Sequence, residues 1–157
     1  MRGPCIHSFI TLIGSVSVTE DGSGNITALY LPNQNLPSMD ERETDVLAEA
    51  AAQVNDYLSG KIRGFNLPLF YEGTEFRMSV LDALRGIPYG ETRRYADIAE
   101  AIGNPRAYRA VGTACAENPL PLIIPCHRVV PSSGIGRYAG GTALKKRLLD
   151  FERGNLD

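Results

Sequence analysis

Along the first thirty residues apolar side chains tend to fall on alternate positions, and from Thr44 onward they recur every three to four. Ile6 to Ile13 is rich in β-branched and aromatic residues, Val16 and Val18 alternate with serines, and Ile26 to Leu31 follows the turn-forming run Asp21-Gly22-Ser23-Gly24-Asn25. Side chains of a strand alternate between its faces, so this pattern predicts a three-stranded antiparallel meander. The stretch Pro32 to Pro37 ends it. Val46, Leu47, Ala50, Val54, Tyr57 and Leu58 share one face of a helix that opens at Thr44 and stops at Ser59-Gly60. Phe65 to Tyr71, broken by Pro68, predicts a linker or an edge strand, because proline cannot donate to a ladder.

The second half keeps the helical period. Thr74-x-x-Arg77 opens a helix with Phe76, Val80, Leu81 and Leu84 inward, and Gly86-x-Pro88-x-Gly90 closes it. Tyr95, Ile98, Ala99 and Ile102 form the stripe of a short helix, Gly103-Asn104-Pro105 turns, and a second helix runs from Arg106 to Glu117 with Ala107, Ala110, Val111 and Ala114 as its small face. Two short helices about a Gly-containing turn predict a helix-turn-helix. Asn118-Pro119-Leu120-Pro121 predicts an extended chain leading into a buried strand, Leu122-Ile123-Ile124. A Gly-rich loop, Gly134 to Gly141, precedes a last helix from Thr142 to about Arg153. The fold class is therefore α+β: a small α/β unit over 1–73 packed on a mainly helical domain over 74–157.

Composition narrows the setting. A chain of 157 residues buries roughly two-thirds of its unfolded surface and needs no staples. Cysteines at 5, 115 and 126 are an odd set without framework spacing, which points to a reducing compartment. No run approaches the ~20 apolar residues of a membrane span, and Ser, Thr and His interrupt the N-terminal apolar run. Neither a leader nor a span is expected, and the cytoplasm is the expected location. The net charge of −2 hides an asymmetry: residues 1–74 carry 4 Lys+Arg against 9 Asp+Glu, residues 75–157 carry 12 against 9. A polyanion would dock on the C-terminal half.

Chemistry concentrates in Ile124-Pro125-Cys126-His127-Arg128-Val129-Val130. A lone Cys in such apolar company is often a packing residue, yet an imidazole beside it can lower a thiol's pKa and make it a nucleophile. Consecutive residues of a regular strand point to opposite faces, so the pair works together if the chain turns at Pro125-Cys126. Glu152 lies at helical spacing from Leu144 and Leu148. Periodicity leaves two readings open: a solvated glutamate on a fraying last turn, or a buried carboxylate that orients His127 for work on Cys126.

The run from Phe76 through Pro125-Cys126-His127-Arg128-Val129 to Gly140-Gly141, followed by Ala143 to Glu152, resembles the C-terminal domain of the O6-alkylguanine-DNA alkyltransferases over about half the chain. The resemblance implies a ribonuclease-H-like first unit, a winged-helix-like second one, and a monomer without cofactor that binds double-stranded DNA containing O6-alkylguanine. Cys126 would take the alkyl group irreversibly, and Glu152 and His127 would deprotonate it through a water. Asn118 matches the hinge asparagine and Tyr95 the pocket tyrosine that contacts the guanine edge. Arg109 matches the finger that replaces the extruded nucleotide in the stack. The second helix would enter the minor groove, where Ala107, Ala110 and Gly112 permit close approach, with Arg93, Arg94 and Arg106 near the phosphates. Pro121, Val129, Gly136, Tyr138 and Ala139 would line the guanine pocket.

Extrusion explains why reactive groups sit among apolar ones, since a base inside a duplex is out of reach and a dry pocket strips water from the nucleophile. The chain departs from the family pattern at Tyr108, in the loop carrying Pro131, and at Ala139. Cys5 and His7 supply two ligands where zinc-binding members have four, so no structural zinc is expected. Two other functions compete. A lesion sensor that flips the base without transfer carries a different residue, usually Trp, at the acceptor position, and this chain has no Trp. A cysteine hydrolase usually separates its nucleophile and base in sequence.

Overall fold

The computed structural model describes residues 2–156, and the chain divides into two compact units, one up to Tyr71 and one from Glu72. In the first, β1 (Cys5–Thr11), β2 (Gly14–Glu20) and β3 (Ile26–Tyr30) form the antiparallel meander that alternation predicts. The β2–β3 turn is built around Asp21, whose carboxylate accepts from the Ser23 amide at 2.7 Å, the Asn25 side chain at 3.1 Å and the Asn25 amide at 3.2 Å and is held below the usual carboxylate range by these bonds. Gly22 has φ +87°, and a Cβ there would lie 2.2 Å from the carbonyl oxygen of Arg2.

A fourth strand, β4 (Asp40–Glu41), pairs parallel with β1 and makes the sheet order β3-β2-β1-β4. Two charged residues carry no alternation, so this strand is a correction to the three-stranded prediction. Its ladder continues through the Arg42 amide, which donates to the Ile6 carbonyl at 3.0 Å. At the opposite edge Leu69 makes an isolated parallel bridge to Ile26, where Pro68 contributes its carbonyl, accepting from the Ile26 amide at 2.7 Å.

Helix α1 (Asp45–Leu58) packs its buried stripe, Leu47, Ala50, Val54, Tyr57 and Leu58, against β1 and β2. Val46, expected on that face, is half-buried. Thr44 caps the helix by accepting from the Leu47 amide at 3.3 Å, and its hydroxyl donates to the carboxylate of Glu20, which is buried. One side chain therefore both starts the helix and satisfies a charge under it.

The second unit opens with α2 (Glu75–Arg85), capped by Thr74, with Val80, Leu81 and Leu84 buried. A two-residue strand, β5 (Arg93–Arg94), leads into α3 (Tyr95–Ala101). The next helix, α4, spans Tyr108–Ala116, so the connection runs from 102 to 107 rather than three residues. After Pro105 the chain makes one more turn, with the Ala107 amide donating to the Asn104 carbonyl at 3.0 Å, before the helix begins. On α4 Val111 and Ala114 are buried whereas Ala110 is exposed, so the small residues divide between two faces.

The segment Leu122-Ile123-Ile124 is buried as expected but is not a strand. The Asn118 side chain accepts from the Leu120 amide and donates to the Ile124 carbonyl, both at 2.9 Å, and the chain winds around it with Leu122 at φ +72°. A 3₁₀ turn, Cys126–Arg128, then enters β6 (Val129–Val130), which pairs parallel with β5. Helix α5 (Thr142–Gly154) closes the unit. Among the described residues no helix is long and apolar enough to cross a membrane.

Thr44→Ala is expected to cost about 1–3 kcal/mol in urea unfolding, combining a lost cap with a buried carboxylate deprived of a donor.

Candidate active site

The 3₁₀ turn is what lets Cys126, His127 and Arg128 act together. Pro125 precedes it, the Cys126 amide donates to the Ile124 carbonyl at 2.8 Å, and the Arg128 amide donates to Pro125 at 3.0 Å. With three residues per turn, successive side chains leave the axis about 120° apart. The thiol of Cys126 can thus leave the turn in a different direction from the side chains of His127 and Arg128.

Two of them converge on Glu152. Arg128 grips this carboxylate bidentately, Nε to Oε1 and Nη2 to Oε2, both at 2.9 Å. His127 Nε2 lies 2.8 Å from Oε2, and the Gly90 amide donates to Oε1 at 3.1 Å. The third guanidinium donor of Arg128 reaches the Ile87 carbonyl at 2.9 Å. His127 and Glu152 are fully buried and Arg128 nearly so. The solvated reading of Glu152 is excluded by this geometry.

The charges decide what His127 can do. Burial pushes its imidazole pKa down, the Glu152 hydrogen bond and charge pull it up, and the Arg128 and Lys145 charges push it down, with a net lowering. The ring is neutral at physiological pH. A carboxylate can only accept, so Nε2 carries the proton and donates to Glu152, leaving the lone pair on Nδ1.

Cys126 lines a cavity of about 590 Å³. Burial raises its thiol pKa, while the Asn118 side chain's hydrogen bond and the Lys145 charge work in the opposite direction. The resting group is a protonated thiol. Of the residues expected around it, Tyr95, Gly136, Tyr138 and Ala139 line the cavity, and so do Arg109 and Gly112, which the resemblance placed against DNA. Burial raises the Tyr95 phenol, so its O–H is retained as a donor. A Cβ on Gly112 would stand 3.9 Å from the Tyr95 ring, and one on Gly136, whose φ is +83°, would meet Pro131 Cδ at 2.8 Å. Both glycines shape the walls.

Other expectations are placed differently. Pro121 and Val129 are buried and do not belong to the cavity lining. Arg93 and Arg94 lie in β5, where Arg93 pairs with Glu91 at 3.1 Å and the Arg94 amide donates to Asp97 at 2.8 Å. Arg106 and Ala110 are exposed, Ala107 is half-buried, and none of the three lines the cavity.

Four residues were not singled out from the sequence. Arg128 was visible beside Cys126 but had no assigned partner. Cys115 shares the cavity with Cys126, and burial pushes its thiol up to about 12. Arg137 also lines it. Lys145 is fully buried, its ammonium donating to the carbonyls of Val129 at 2.7 Å and Arg137 at 3.2 Å and lying 6.0 Å from the Tyr95 ring centroid. The buried stripe of α5 is Lys145, Leu148, Leu149 and Glu152, a spacing of i, i+3, i+4, i+7 that the Leu144-based register misses by one residue.

Comparison with known proteins adds a family to this geometry. Residues 75–154 match the family model described as 6-O-methylguanine DNA methyltransferase, DNA binding domain. A methylated-DNA–protein-cysteine methyltransferase of Methanosarcina barkeri is 55% identical over 109 residues, covering 69% of each chain. The constitutive methylated-DNA–protein-cysteine methyltransferase of Bacillus subtilis is 42% identical over 152 residues, covering 91% of this chain and 92% of its own. A crystal structure of Mycobacterium tuberculosis OGT in complex with DNA superposes with a TM-score of 0.89 at 36% identity, over 96% of this chain and 94% of the other.

Arg128→Met leaves Glu152 buried without its guanidinium and is expected to cost about 3–5 kcal/mol, whereas a double Arg128→Met, Glu152→Met variant regains much of that loss. Because His127 binds its proton less readily folded than unfolded, the parent protein loses stability as the pH falls below about 6.5. Arg128→Met raises the folded pKa of His127 and flattens that loss; urea titrations across the window read both effects.

Proposed function

The chain belongs to the 6-O-methylguanine DNA methyltransferase family, and from that membership we propose that it reverses O6-alkylguanine in DNA by moving the alkyl group onto its own Cys126. The activity is that of a methylated-DNA–protein-cysteine methyltransferase, and the observation that carries it is a thiol opening on a cavity while its sequence neighbour is held as an oriented neutral base by a buried carboxylate.

A methylated O6 inside a duplex is out of reach, so the nucleotide swings into the cavity. The thiol proton passes toward His127 Nδ1, directly or through a water, as Sγ forms its bond to the alkyl carbon. The carbon–O6 bond breaks, its electron pair stays with the guanine, and the base leaves once it has regained a proton. Tyr95 holds the guanine edge by its retained O–H. A thioether has no leaving group to restore the thiol, so each molecule acts once. Glu152 keeps Nε2 protonated and thereby presents the Nδ1 lone pair.

The same reading extends to docking. Helix α4 enters the minor groove with Gly112 and its exposed small residues, Arg109 takes the place of the extruded nucleotide, and Arg106 and Arg94 lie near phosphates. Binding is then largely independent of sequence. The protein works as a cytoplasmic monomer, with residues 1–73 as the structural domain and 74–157 as the DNA-binding and acceptor domain. The strand order β3-β2-β1-β4, with β4 parallel, supports a ribonuclease-H-like reading of the first unit, and the helix pair with its small β5–β6 sheet supports a winged-helix-like reading of the second.

Intact mass and peptide mapping after mixing with a duplex carrying one O6-methylguanine are expected to show a single methyl on the peptide containing Cys126, stopping at one equivalent. Cys126→Ser binds the same duplex and gains none. Binding by the parent protein without methyl gain would make it a lesion sensor.

A further inference from the structure

Among the described residues twelve line the cavity, two of them arginines and none a carboxylate. Arg109 comes from α4 and Arg137 from the loop before α5, and both are exposed. Among the described residues neither guanidinium has an ion-pair partner. Like charges are normally separated or matched with acids, so an apolar chamber with two unmatched cations suits a ligand that is neutral where it enters and anionic where it stays outside. A nucleotide has that distribution: a base, then phosphodiesters on either side.

Arg137 stands on a pinned backbone. Its own carbonyl accepts from the buried Lys145 ammonium at 3.2 Å. On one side Gly136, at φ +83°, is pressed against Pro131, with a Cβ position 2.8 Å from Cδ. On the other, the Tyr138 ring meets the His127 ring edge-on, centroids 6.3 Å apart. The guanidinium therefore starts from a fixed point on the cavity wall, which lowers the ordering cost of a contact made there.

We propose that Arg137 is a phosphate clamp for the extruded nucleotide, gripping a phosphodiester adjacent to the lesion while the base occupies the cavity. This rests on the reading that an alkylated nucleotide enters that cavity. Guanidinium and phosphate pair bidentately, and the contact carries no sequence information, so it serves any flanking sequence.

The test measures equilibrium binding of the Cys126→Ser protein to a duplex with one O6-methylguanine across a salt series, with Arg137 intact, Arg137→Gln or Arg137→Lys. Arg137→Gln is expected to weaken binding about tenfold and to lower the magnitude of the log K against log salt slope by about 0.9. Arg137→Lys keeps the slope. Methylphosphonates placed singly at the phosphates flanking the lesion should at one position cost the Arg137 protein most of that tenfold and cost Arg137→Gln little. An unchanged slope in Arg137→Gln, or equal sensitivity of both proteins at every methylphosphonate, overturns the clamp. Failure of the underlying reading shows separately, as absence of methyl on Cys126 in the protein with both residues intact.

Discussion

A buried carboxylate is the constraint around which the second unit is organised. Taking Glu152 out of water costs several kcal/mol, and such a group is tolerated only when its oxygens are fully occupied. Here they are: Arg128 takes both, His127 shares one, and the Gly90 amide takes the other. Those partners come from the 3₁₀ turn after Pro125 and from the loop after α2, while Glu152 itself comes from the last turn of α5. One charge thus ties three separate stretches together. Arg128 also reaches the Ile87 carbonyl, which extends the same network to the end of α2.

The network sets the resting chemistry as well as the architecture. With the guanidinium matched to the carboxylate, little negative charge is left to draw a second proton onto His127, and burial keeps the ring neutral. Burial likewise keeps Cys126 a thiol. A protonated thiol is a poor target for stray electrophiles, and a thiol of raised pKa is intrinsically the stronger nucleophile once ionised. Lys145, donating to two backbone carbonyls beside the cavity, is the nearby cation that favours the thiolate when the proton leaves. Burial therefore keeps the group quiet at rest without making its thiolate a weaker nucleophile.

Much of this was legible because it was local. Alternation gave the meander, helical spacing gave α1, α2 and α5, and Thr44 and Thr74 marked their starts. Cys126, His127, Glu152 and Asn118 were readable through the motif they share with a known family. What escaped depends on partners distant in sequence. β4 is two charged residues that become a strand only beside β1. Leu122-Ile123-Ile124 has the composition of a strand, but the Asn118 side chain supplies the hydrogen bonds that a ladder would have made. Lys145 sits in a run that looks like a solvated helix face, and its burial is revealed by the carbonyls it meets. Arg137 in a Gly-rich loop gives no periodic signal at all.

The chemistry of Cys126 turns on the protonation state of His127, and the chain has two histidines, His7 and His127, which makes that state directly observable. Imidazole nitrogen NMR of the uniformly ¹⁵N-labelled protein across the pH range should show His127 neutral at pH 7, in a single tautomer with the proton on Nε2, titrating below the ordinary value of about 6.5. An imidazolium at pH 7 would mean that Glu152 rather than burial and Arg128 controls the ring, and the oriented neutral base would have to be given up.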